Sequence, residues 1–217
     1  MKKILLFALT LIGVGCTEPI PVNLDDLSRQ GIDYLDPETR EPYSGPAYRM
    51  SEDDSTQVVL RVHLRDGRFH GNFEDFDPER IEEGLGIYQT GTHRNGLREG
   101  RYEYFYPSGV LRGRGTYDRN EVNGIYESYY ENGKPRSKST YRAGKLDGPF
   151  DFYYENGQLQ SRGSNTAGER HGSTEFYYED GRLRLKGTFN MGEECGTWIE
   201  NDGTRISTPH YEPCPPA

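Results

Sequence analysis

In the runs RYEY from Arg101, IYES from Ile125, PFDF from Pro149 and STEF from Ser173, alternate positions carry unlike side chains. One parity holds the acids Glu103, Glu127, Asp151 and Glu175, and the other holds mostly rings, among them Tyr102, Tyr104, Phe150, Phe152 and Phe176. A period of two predicts strands with two different faces. Each run ends in a turn dipeptide, at Ser108-Gly109, Asn132-Gly133, Asn156-Gly157 and Asp180-Gly181. A glycine opens every unit, at Gly100, Gly124, Gly148, Gly172 and Gly196, an interval of 24 residues. Self-similarity at such a period means one supersecondary unit per repeat, stacked on its neighbours.

Asn-Gly between two β-prone runs predicts a two-residue type I′ hairpin. That loop sets Glu131 against Lys134, Tyr129 against Arg136 and Glu127 against Lys138. The same arithmetic puts Glu103 opposite Arg114, Asp151 opposite Arg162, Glu175 opposite Lys186, Glu179 opposite Arg182, Tyr177 opposite Arg184 and Phe105 opposite Arg112. Opposite charges across a strand pair contribute about 0.2–1 kcal/mol each, so this register makes sense of the charges. On the other face rings meet small residues: Tyr102 with Gly115, Tyr104 with Gly113, Phe150 with Gly163 and Phe152 with Ser161. A second two-residue turn at Ala143-Gly144 sets Tyr141 against Leu146 and Ser139 against Gly148. The fold class expected is all-β, an elongated single-layer antiparallel β-meander of hairpins.

The clear repeats are 100–123, 124–147, 148–171 and 172–195, within an array expected to span 42–208. GNFEDFD from Gly71 matches GRYEYFY from Gly100, with an insertion, PERIEEG, at the hairpin tip. Further back, an Asp66-Gly67 turn follows a strand from Val58, and PYSGPAY from Pro42 reads as half a repeat. Residues 17–41 show no pattern beyond a short helix around Leu24 to Gln30 and are expected to be a tether, and 209–217 a tail.

Aliphatic residues are scarce, a composition usually read as disordered, but 17 Tyr and 9 Phe recur in register. Burial is therefore expected from rings over glycine and serine. Lys2 and Lys3 followed by the apolar stretch Ile4 to Val14 read as an export signal over residues 1–16. IGVGC, ending at Cys16, resembles the lipobox of bacterial lipoproteins, which implies lipidation of Cys16. Thr17 behind it implies an outer-membrane anchor on the periplasmic or surface side, while Gly13 and Gly15 equally suit plain export as a periplasmic or secreted soluble protein. Of three cysteines, Cys195 and Cys214 are then left and could pair in an oxidising compartment.

The formal net charge is −9, and the excess acid sits before the repeats: residues 17–99 hold 9 basic and 18 acidic residues, residues 100–196 hold 14 of each. Phosphate backbones would be repelled, so no nucleic acid is expected as a partner.

YYENG at Tyr129 and Tyr153, YYEDG at Tyr177, and the closing KLDG, ERHG and EECG tetrapeptides resemble the MORN-repeat family in its bacterial YYxNG variant, often labelled antitoxin-like. The resemblance implies a β-meander used for protein or lipid contacts, without catalysis by the repeats.

No G-x-S-x-G, H-E-x-x-H or Ser/His/Asp grouping is visible, so no enzyme activity, catalytic residue, cofactor or metal is expected. His63 and His70 face each other across Asp66-Gly67, but two ligands make a weak metal site. Arg112, Arg136 and Arg184 are expected on the charged face, neutralised by acids. The candidate binding surface is the row Tyr104, Phe152, Phe176 with Tyr106, Tyr130, Tyr154 and Tyr178, since exposed aromatic patches mark interaction sites. The function expected is a lipid-anchored protein-binding scaffold of the bacterial envelope. The alternatives are a carbohydrate or peptidoglycan binder using the same rings, or an immunity-type antagonist of an envelope toxin.

Overall fold

The computed structural model describes residues 19–52, 54–77, 86–202 and 206–215. The leader with Cys16 and the insertion at 78–84 lie outside the described residues. The alternating runs are strands, nineteen of which form one sheet among those residues. Consecutive strands pair antiparallel from Gly45–Met50 to Ile206–Ser207, and the sheet does not close.

In the body of each hairpin the charge-matched register holds: Glu103 pairs with Arg114, Glu127 with Lys138, Asp151 with Arg162 and Glu175 with Lys186. The ring-to-small pairs of the opposite face hold as well, from Tyr102 with Gly115 to Phe152 with Ser161.

At the tips the expected register is wrong by one residue. Tyr129 pairs with Pro135, Phe105 with Leu111 and Tyr177 with Leu183, leaving Arg136, Arg112 and Arg184 as extra residues in a bulge. The loop has three residues, because the Tyr130 amide donates to the Lys134 carbonyl and the Gly133 amide to that of Tyr130. Of the dipeptide only Gly133 has positive φ, at 80°, so this is the type I turn with a glycine bulge, not type I′. Asn132 explains the choice: its side-chain oxygen accepts from the Lys134 amide, as Asn156 does from Gln158 and Asp180 from Arg182. The pairs Glu131–Lys134 and Glu179–Arg182 therefore do not form across a two-residue turn.

The second turn is type I′, with Ala143 at φ 47° and Gly144 at φ 74°, and Tyr141 faces Leu146. Beyond it Ser139 pairs with Phe150 rather than Gly148, since Gly148 sits in a bulge at φ 127°. The glycines at intervals of 24 thus occupy a left-handed backbone position that few other residues tolerate.

Residues 19–41 are not a tether. Val22–Asn23 pairs parallel with the strand Gly45–Met50, and Leu24–Asp26 forms a single 3-10 turn where a helix to Gln30 was expected. Ser28–Gln30 and Asp33–Leu35 then make a small hairpin. Leu24 and Tyr34 are buried with Val62, Leu64, Phe73, Tyr102 and Tyr117, so this segment covers the ring face of the first strands.

At the other end, the residues after Ile206–Ser207 stay on the last long strand, Glu193–Asn201. The Trp198 amide donates to the Pro209 carbonyl and the Gly196 amide to that of Glu212. Cys195 and Cys214 form a disulfide with Cα atoms 4.9 Å apart. The expected tail is therefore a strap.

Candidate functional site

The ring face is packed by an arrangement that skips between hairpins. Gly115 faces Tyr102 in register, yet an added Cβ there would stand 2.6 Å from the ring of Tyr126 in the next strand. Gly91 is covered likewise by Tyr102, and Gly187 by Trp198. At Gly163 the ring is Phe150, because the place of the next aromatic is taken by fully buried Thr174.

Seven aromatics of this surface have three different surroundings. Tyr104 is packed against the N-terminal cluster, with its hydroxyl 2.9 Å from that of Tyr117. Tyr106, Tyr130, Tyr154 and Tyr178 are partly buried, and each donates its hydroxyl to a carbonyl one unit ahead: Tyr129, Tyr153, Tyr177 and Asn201, at 2.6–2.8 Å. This row is first of all a seam between repeats. Phe152 and Phe176 make no such bond, and they stand on either side of Ser161, which pairs with both.

Two strand spacings, roughly 10 Å, therefore separate two rings above a buried serine. The result is a groove of about 560 Å³ walled by Phe152, Tyr154, Phe176 and Tyr178. Arg170 and Arg184 line it too. Their guanidinium carbons lie 5.1 and 5.7 Å from the centre of the Phe176 ring, cation–π distances. The expectation that Arg184 belongs to the charged face is thus corrected. As the extra residue of a bulge it is re-aimed to the ring face. Arg170 carried no signal in the sequence, since its place beside Phe176 follows from the bulge at Gly172.

On the other face, pairing from strand to strand builds one row of alternating sign: Glu103, Arg114, Glu127, Lys138, Asp151, Arg162, Glu175, Lys186. Glu127 is held by Arg114 at 2.7 Å and Lys138 at 3.7 Å, and the Arg114 hydrogen bond lowers its pKa. Glu175 is lowered by the Tyr177 hydroxyl and then Lys186. This face is self-neutralised.

Histidines play structural parts. His93 is packed edge-on against Phe73 and Tyr102, and burial, with Arg98 nearby, pushes its pKa down to about 4. The His70 amide donates to the His63 carbonyl. Among the described residues no three His, Cys, Asp or Glu gather as a metal site, and no helix is long and apolar enough to cross a membrane.

The model of the MORN repeat variant matches four consecutive segments, 98–119, 122–143, 146–164 and 170–191. No curated protein matches the chain.

Proposed function

With residues 98–191 an array of four MORN repeat variant units, we propose that the chain is an exported scaffold of the bacterial envelope, lipid-anchored at Cys16, that captures a protein partner on its ring face. The observation carrying this reading is the groove between Phe152 and Phe176. These rings are half-buried and make no hydrogen bond of their own, so they have contact area to give, and aromatic anchors dominate recognition energy. The charge row opposite is self-paired and offers a partner little. The proposed role is binding without catalysis.

Two measurements test this. Mass spectrometry of the mature N-terminus should find a diacylglyceryl-modified Cys16, and an unmodified soluble form would remove the anchor. In a pull-down from envelope extract, Phe152→Ala with Phe176→Ala should lose a defined partner while circular dichroism stays unchanged. Retained capture would sink the scaffold reading, and retention on isolated cell wall instead would favour a glycan ligand.

A further inference from the structure

Two cations stand on one wall of the groove outside any ion pair among the described residues, Arg184 also bordering an adjoining cleft that holds Glu200 and Asp202. Arg170 lies over Phe176 and also 5.4 Å from the centre of Phe189, and Arg184 lies over Phe176 from the second strand of the same hairpin. Both are exposed, and among the described residues neither has a carboxylate within salt-bridge distance. The contrast with the opposite face is sharp, since Arg114, Arg162 and Lys186 each have one there. Elsewhere along the same bulge column stand Arg112, Arg136 and Gln160. Among the described residues, Arg170 and Arg184 alone share a ring with each other beside an open slot.

Bringing two guanidinium groups to one ring costs mutual repulsion, which an anion would relieve. The slot beside them is apolar on both walls and has Ser161 as its floor. A ligand fitting both features carries an apolar or aromatic group next to a carboxylate. We propose that the groove binds an acidic peptide segment, with an apolar side chain between Phe152 and Phe176 and an adjacent Asp or Glu carboxylate on Arg170 and Arg184. Arginine suits this role, as its planar fork takes a carboxylate in two parallel hydrogen bonds while its face stays on the ring. This rests on the protein-binding reading above and adds the chemistry of the partner.

The probe is a dye-labelled peptide alternating Glu and Phe, followed by fluorescence anisotropy with the full chain. Binding should fall about tenfold or more when Lys replaces Glu in the peptide, and by a similar factor in Arg170→Gln with Arg184→Gln. Arg112→Gln with Arg136→Gln, the same change elsewhere in the array, should leave it unaltered. Arg184→Gln alone, which spares the contact of Arg170 with Phe189, guards against an effect on folding and should still lose several-fold. Equal binding of the Glu and Lys peptides, or an unaffected double variant, overturns the proposal while leaving capture by the rings intact. Binding of phosphatidylglycerol vesicles that depends on Arg170 and Arg184, with the peptide indifferent to them, overturns it in favour of a lipid surface.

Discussion

Tyr130 donates its hydroxyl to the carbonyl of Tyr153, 2.6 Å away and one repeat further along. Tyr106, Tyr154 and Tyr178 do the same at the equivalent places. Removing only the hydroxyl, as in Tyr130→Phe, should cost about 0.5–1.5 kcal/mol in urea unfolding. Tyr106→Phe with Tyr154→Phe should cost nearly the sum of the singles, because each bond joins a different pair of neighbours. No loss from any of them would mean that the seam adds nothing to stability.

Much of this was legible in the sequence. Glu127 against Lys138 and Phe150 against Gly163 followed from charge and size, since a one-residue slip would put every side chain on the wrong face. The tips were not legible, because Asn-Gly suits both a type I′ loop and a type I loop with a glycine bulge. What decides is the Asn132 side chain bonding the Lys134 amide. That choice moved Arg184, and with it the groove. The N-terminal segment was missed because one leucine, Leu24, and a non-repeating hairpin carry its packing, so no periodicity announces it.

Gly187 has ordinary backbone angles, so its identity is required only by the indole of Trp198, into which an added Cβ would project. Gly187→Ala should destabilise by about 1–3 kcal/mol through overpacking. Combined with Trp198→Ala, it should add almost nothing to the cost of the latter. Additive losses in this double-mutant cycle would show that the close approach is not the cause.

The strap is closed by Cys195 and Cys214, 19 residues apart, and Tyr211 lies edge-on to Trp198 at 5.8 Å. Reduction should lower stability by roughly 3 kcal/mol on the chain-entropy estimate. The emission of Trp198, the one tryptophan, should shift to the red as the strap loosens. A spectrum unchanged by reductant would show that hydrogen bonds alone keep the strap in place.

His93 stays neutral in the folded chain down to about pH 4, whereas a free imidazole takes its proton near 6.5. Between those values the unfolded chain binds a proton that the folded chain does not. Stability from this group is therefore full above pH 6.5, declines through the window and levels off below 4. The full shift would correspond to about 3 kcal/mol, and solvent screening of the partly exposed ring reduces the decline to on the order of 2 kcal/mol. His93→Tyr, the residue found 24 positions on at Tyr117, should flatten this part of the urea-midpoint profile. An identical slope in the variant would assign the acid sensitivity to the carboxylates.

The tyrosine seam on one margin has a counterpart on the other, where Gly144, Gly168 and Gly192 donate their amides to Val122, Leu146 and Arg170. Within each series every bond links one module to its neighbour by a constant offset, so excising or duplicating a 24-residue module leaves all remaining links of both series able to form. The array can thus act as a ruler graduated in steps of about 10 Å, whose length evolution or an engineer could reset while both sets of seam bonds re-form.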